Sequence, residues 1–481
     1  MSASLPTIWM NMTTSANWQR PPVGIVRVER SLCAEFEKMY GKRFRCCIWR
    51  DGFFVEWPSQ ASAEQNSPVP VAAEESEPQA VSTDLPLMFP LLPRRQAAAA
   101  VAQGFLSLMP ASVRPFLNRL LHGLRPRIAK LLRFPRLRGW LDRTGRPVAM
   151  AAVPAPPLSG SKQTLFSPGD VLISVGLDWD HDFYKDFYFL RKEQQVRVVT
   201  CCYDLIPVIY PQYCVGEVAG IFTSYFLDVA DGSDLVLCIS KQTEIDLLEM
   251  LYRTGGAQPK TQVFPLGDNV PIAKADEISP AVREICKEPF ILFVSTIERR
   301  KNHEVLYRAY HLLCAEGKRD QLPKLLFVGM QGWGVGDLMK DIELDQLTRD
   351  HIIRLNHVTD AELRTLYETA QFCVFPSLYE GWGLPVGEAL SLGKAVLCSD
   401  RGSLPEVGGD LVRYLDPWNP CVWADEIFRM ATDNVWRSEW EQKAKSEYKI
   451  RTWNEAGIAV KLAVDAVLSA HRTAPEIFSS K

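Results

Sequence analysis

From Phe290 onward the chain repeats one unit: a short apolar run, a polar turn, then apolar residues at helical spacing. Phe290–Ser295, Lys324–Gly329, His351–Leu355, Phe372–Phe375, Ala395–Cys398 and Leu411–Leu415 are strand-like. His303–Cys314, Asp360–Ala370 and Val386–Leu392 carry helical patterns between them. A run that is apolar on both faces must be covered on both faces. Strands alternating with helices therefore predict a parallel sheet with helices on either side. The same rhythm occupies the first part of the chain, at Thr7–Met12, Phe44–Trp49, Val171–Val175, Val196–Cys202, Leu235–Ser240 and Gln262–Pro265. The polar stretch Gly267–Pro280 lies between the two series. The expectation is an α/β protein with two Rossmann-like, doubly wound domains facing a cleft.

The first series is interrupted. Gly52–Leu92 holds no Lys or Arg but many Pro, Ala, Ser and Glu residues, a composition that predicts disorder. Ala111–Pro147 then carries ten basic residues against one acid, Asp142, with leucines interleaved at helical spacing. Such a basic amphipathic stretch suits an anionic membrane surface, or a docking face on its own domain. The expected organisation is a first domain from 1–51 and 166–272 with an insertion at 52–165. A second domain spans 281–450, and a C-terminal helix at 451–472 returns to the first. A formal net charge of -3 and a pI near 6.2 argue against a nucleic-acid partner. The twelve cysteines form no C-x-x-C pair and read as free thiols of a reducing cytosol. No signal peptide or transmembrane run is evident, so the expected location is cytoplasmic, peripheral on the inner membrane face.

Two motifs carry chemistry. In the stretch Pro376-Ser-Leu-Tyr-Glu-Gly-Trp-Gly-Leu-Pro-Val-Gly-Glu-Ala-Leu390, a strand ends in a glycine-bearing loop and a helix opens near Pro385. Glycines permit close backbone approach, and free amides at a helix start attract phosphate. Glu380 and Glu388 flank that turn, where carboxylates can accept hydrogen bonds from sugar and ribose hydroxyls. Val294-Ser-Thr-Ile-Glu-Arg-Arg-Lys-Asn-His303 places three successive cations at a helix entrance, the end that prefers anions. An arriving anion resolves that conflict. The structural alternatives are a tight turn with a capping Glu and a solvated basic turn.

The first motif resembles the Glu-x7-Glu signature of family-four retaining glycosyltransferases, which have the GT-B fold. The second is similar to that family's phosphate loop, with Ser295 at its first glycine and Thr296 where many members carry Arg. The resemblance implies Glu380 at the donor sugar and Glu388 at the ribose. Gly381, Trp382, Gly383, Leu384 and Pro385 then form the diphosphate turn, Arg300 and Lys301 are the phosphate cations, and Thr296 lies in the same loop. Asn356–Leu363 and Asp400–Gly409 resemble further loops of the donor domain. In the first half, Arg20–Glu29, with Gly24 at the helix start, resembles the loop facing the donor phosphate. Tyr203-Asp-Leu-Ile-Pro207 resembles an acceptor-side segment that usually begins with His, making Asp204 a candidate for orienting the acceptor; the bland alternative is a helix cap. His181 is a further acceptor-side candidate. The resemblance implies retaining transfer of a hexose, mannose or a related sugar, from a GDP-sugar first, with no metal or other cofactor, to an oligosaccharide or lipid-linked acceptor of a surface polysaccharide. Two rivals remain: a non-catalytic membrane assembly subunit and a GT-B nucleotide-sugar epimerase.

Overall fold

In the computed structural model, the described residues are 5–18, 24–57, 165–214, 216, 218–270 and 278–470. The acidic stretch beyond Trp57 and the basic stretch at 111–147 lie outside them. Among the described residues, thirteen strands form two sheets. The first contains β1 (Ile8–Asn11), β2 (Phe44–Arg50), β3 (Phe53–Trp57), β4 (Val171–Ser174), β5 (Arg197–Cys202), β6 (Leu235–Cys238) and β7 (Thr261–Val263). Its order is β3-β2-β1-β4-β5-β6-β7. The second contains β8 (Phe290–Val294), β9 (Lys324–Val328), β10 (Ile352–Leu355), β11 (Phe372–Phe375), β12 (Val396–Ser399) and β13 (Arg413–Leu415), in the order β10-β9-β8-β11-β12-β13. Every pairing is parallel except β2 with β3.

The two doubly wound sheets follow from the apolar runs. β1, β4, β6, β11 and β12 are buried at every position, which only a sheet covered on both faces allows. β3 departs from the sequence reading, which began the insertion at residue 52. Phe53–Trp57 instead returns from β2 through the turn at Asp51 and Gly52, both with positive φ, and caps the sheet as an antiparallel edge. Its half-exposed pattern, without regular alternation, is too weak to stand out in the sequence. Among the described residues no helix is long and apolar enough to cross a membrane.

In sheets of this order, the strand succession reverses beside the first strand, and the loops leaving the two strands at that point open a crevice. The first sheet has this switch point between β1 and β4, the second between β8 and β11. The segments after β11 and β5 press together: a Cβ on Gly381 would meet the Tyr203 carbonyl oxygen at 2.3 Å. The Trp453–Ala470 helix packs on the Ile25–Tyr40 helix of the first domain, where Asn454 donates to Glu35 at 2.8 Å and Tyr40 to Asp465 at 3.3 Å.

The first switch point is closed by buried acids. Gly176, just after β4, lets Thr14 and Glu29 approach; a Cβ there would meet their side-chain oxygens at 2.3 and 2.5 Å. Glu29 accepts from the Ser15 amide at 2.7 Å, and its other oxygen has no partner. Asp178 is buried, and neither of its carboxyl oxygens has a hydrogen-bond partner in good geometry. Burial pushes Glu29 up to about 7, against the opposing Ser15 contacts. It pushes Asp178 up to about 8; the nearby Ser174 hydroxyl works against the rise and the Glu29 charge adds to it. Both acids are held protonated at pH values where an unfolded chain has them ionised. Their stabilisation is thus complete at acid pH and is lost as pH rises toward about 7 and 8. The melting midpoint should therefore fall between about pH 5 and pH 8. Asp178→Asn, neutral throughout, should flatten that fall and melt higher than the parent at alkaline pH. Calorimetric melting across this range checks it, and an unflattened profile in the variant counts against it.

Candidate active site

The second switch point brings the two motifs together. The loop after β8 and the loop after β11 leave adjacent strands, so their cations and carboxylates converge. Leu378 donates its amide to the Arg300 carbonyl at 2.8 Å, joining the loops as backbone. Asn302, in the left-handed region at φ 61°, donates its side-chain amide to the carbonyls of Pro376 at 3.1 Å and Pro417 at 2.8 Å. The last residue of the Arg-Lys-Asn run is therefore a stitch that turns Arg300 and Lys301 toward the second loop.

Glu380 is the centre. One carboxylate oxygen accepts from Lys301 Nζ at 2.6 Å, the other from Arg300 Nη1 at 2.8 Å. Burial alone would raise its pKa. The Lys301 ammonium and Arg300 guanidinium outweigh that and hold it down at about 2. Burial pulls Lys301 below the ordinary lysine range, with Glu380 opposing. For Arg300 the same burial is overcome by Glu380 and Glu298, which raise its pKa. Arg300 also donates to the Tyr379 carbonyl and to Glu298, each at 2.8 Å. Asp204 reaches this group from the first domain. It is half-buried, and desolvation raises its pKa, while the Arg300 charge opposes the rise. Its carboxylate accepts from the Ile206 amide at 3.0 Å, so it caps the Ile206–Ile209 helix and faces the cations at once.

The helix Leu384–Ser391 opens behind Glu380. Its cap, Gly383, has φ 114°, which a Cβ would strain, and Pro385 stands in the first turn. The Asp400–Ser403 loop cradles the turn: Ser403 Oγ donates to the carbonyls of Glu380 at 3.0 Å and Trp382 at 2.8 Å. Gly402 is required there, since a Cβ would meet the Glu380 carbonyl oxygen at 2.3 Å. The Trp382 ring is buried and lies under the Arg451 guanidinium, 5.4 Å from its centroid. Thr296 is exposed in the β8 loop. His181 stacks on Phe183, in the aromatic group of Trp49 and Phe54 at the edge of the first sheet.

Glu388 follows within the same helix. It accepts from Arg27 Nη1 at 2.9 Å and from the Tyr367 hydroxyl at 3.0 Å. Burial raises its pKa, with the Arg27 charge opposing. Arg27 lies one turn beyond Gly24 on the Ile25–Tyr40 helix of the first domain and also donates to Asp360 at 2.8 Å. One guanidinium thus spans both domains. Arg27, Asn302 and Ser403 lie inside stretches that the sequence motifs had marked, but the motifs gave them no role of their own. Tyr367 carried no signal beyond its place in a helical pattern.

Two doubly wound domains joined in this way, with a cation-clamped carboxylate at the second switch point, define a protein of GT-B architecture. The overall arrangement is similar to that of Anabaena HepE, solved in complex with UDP, with a TM-score of 0.53, covering 96% of this chain and 100% of that one at 13% identity. Residues 275–447, within the second domain, match the family model described as glycosyl transferases group 1. It is 29% identical over 283 residues to O-antigen chain mannosyltransferase B of Escherichia coli, across 57% of this chain and 73% of that protein. It is also 28% identical over 273 residues to the serotype-specific mannosyltransferase WbdA of Escherichia coli, of which it spans 33%.

Removing Arg27 would leave Glu388 buried without its cation. The loss of one partner of such a pair costs about 3 kcal/mol. Arg27→Met should therefore lower the melting midpoint and loosen the contact between domains, and Glu388→Gln added to it should recover part of the loss. Melting curves of the single and double variants check this; additive losses would show that the two groups are not coupled.

Proposed function

We propose that this chain transfers a hexose, mannose first among candidates, from a nucleoside diphosphate sugar to a saccharide hydroxyl with retained anomeric configuration. The observation that carries the reading is the convergence of Lys301 and Arg300 on Glu380 at the second switch point. It is a preorganised cationic pocket beside a helix start, and the negative charge of a departing diphosphate is what such a pocket stabilises. Diphosphate arriving there competes with Glu380 for Lys301. That frees the carboxylate to accept from donor-sugar hydroxyls, while Glu388 accepts from ribose. In the transfer the bond from the anomeric carbon to phosphate oxygen breaks and a bond to the acceptor oxygen forms on the same face. The acceptor proton passes to the departing phosphate, whose charge Lys301 and Arg300 hold. Asp204, facing the cations from the other domain, orients the acceptor. These cations supply the positive charge, so the reading needs no metal.

A GDP-sugar is the first donor to test and a lipid-linked oligosaccharide at the inner membrane face the first acceptor. The mannosyltransferase relatives of O-antigen assembly support that choice. The decisive experiment is a panel of GDP-, UDP- and dTDP-sugars, with released nucleotide measured alone and with saccharide acceptors. Lys301→Ala should reduce turnover by at least about a hundredfold, the scale of losing one preorganised charge at a developing anion, with the fold intact. Glu380→Gln should lower turnover more than nucleotide affinity, and Glu388→Gln should chiefly weaken nucleotide binding. Near-parental turnover in Lys301→Ala would sink the assignment, and binding of neither GDP nor UDP by the parent would favour a non-catalytic assembly role.

A further inference from the structure

The donor loops account for one side of the crevice; the opposite side carries a feature that phosphate binding does not use. The Ile206–Ile209 helix, capped by Asp204, runs directly into a turn at Pro211–Tyr213. Tyr210 and Tyr213 are tilted neighbours there, with ring centroids 5.7 Å apart and planes 30° apart. Tyr210 also meets Tyr379, centroid to centroid at 5.0 Å. Tyr379 directly precedes Glu380 and is fixed by its hydroxyl donating to Asp246 at 2.7 Å. The three rings therefore form a row leading outward from the Glu380 backbone. Tyr210 and Tyr213 are half-buried, and Pro211 and Gln212 beside them are exposed. Asp204, at the start of this segment, lies against the turn after Glu380: a Cβ on Gly381 would meet the Asp204 Cβ at 2.8 Å, which sets the row beside the same carboxylate.

Half-exposed tyrosines present an apolar face with a polar rim. The row itself carries no formal charge, so it does not select a phosphate. A pyranose ring is its chemical complement: a patch of C–H bonds covers the aromatic face, and equatorial hydroxyls reach the phenol rims and solvent. From these positions we infer that Tyr210 and Tyr213 form an acceptor subsite, a platform on which a neutral sugar ring of the acceptor stacks with a hydroxyl directed toward Glu380 and Asp204. The inference rests on the transferase reading for its word acceptor, but the subsite itself makes a separate physical claim.

The test uses the full chain and simple probes. Saturation-transfer NMR with methyl α-mannoside, methyl α-glucoside, methyl α-galactoside and methyl N-acetyl-α-glucosaminide, in the presence of GDP or UDP, should show transfer to the ring C–H protons of at least one glycoside. Tyr213→Ala should weaken that glycoside about tenfold, the scale of one lost ring contact. Tyr213→Trp, which keeps an aromatic face, should retain it. Tyr252→Ala, at an exposed tyrosine on the Lys241–Thr254 helix, should leave the signal unchanged. No signal from any glycoside, an unaltered signal in Tyr213→Ala, or loss of the signal in Tyr213→Trp as well would overturn the platform. Glycoside binding that depends on Tyr213 in a protein that releases no nucleotide from any donor would instead leave the platform standing and remove the transferase reading.

Discussion

The pairing of Lys301 and Arg300 with Glu380 organises the second domain. Three charged groups are brought out of water at one place, which is costly unless each finds its partner. Here they do. Arg300 satisfies Glu380, Glu298 and the Tyr379 carbonyl together, and Lys301 closes the remaining oxygen. The surrounding loops serve this group: Asn302 ties the cation-bearing turn to the Pro376 and Pro417 carbonyls, and Ser403 holds the carbonyls of Glu380 and Trp382. The cluster is thus preformed and internally neutralised, with its cations held in place by the backbone around them.

The second theme is contact across the crevice. Arg27 holds Glu388 and Asp360 from the first domain, Tyr379 holds Asp246, and Glu406 accepts from the Lys241 and Gln242 amides at 2.8 Å each. Glu406 thereby caps a helix belonging to the other domain, where a carboxylate complements the positive helix end. These contacts involve residues that flank the donor turn on either side.

Much of this was legible in the chain. The runs that are apolar at every position demanded two covered parallel sheets. The glycine-bearing turn and the cations at a helix entrance marked the two loops that meet. The antiparallel strand Phe53–Trp57 was not legible, because an edge strand half-exposed on both faces has neither a continuous apolar run nor a clean alternation. Nor were the partners of the site carboxylates. Arg27 and Glu388 lie more than three hundred residues apart, and no local pattern links them.

The sequence by itself determined the kind of sheet, the positions of the two loops and the chemical types they carry, since those depend on local periodicity, glycine tolerance and charge. Only the tertiary structure decided that Lys301 and Arg300 share one carboxylate, that Asn302 is a stitch and that Trp382 turns under Arg451. It alone set Arg27 against Glu388 and ran the tyrosine row up to Glu380. The physical reason is the strand order. A switch point brings together loops from strands distant in sequence, and the packing of two domains adds side chains from a third place. Such proximity is a property of topology and burial, which no stretch of residues encodes alone.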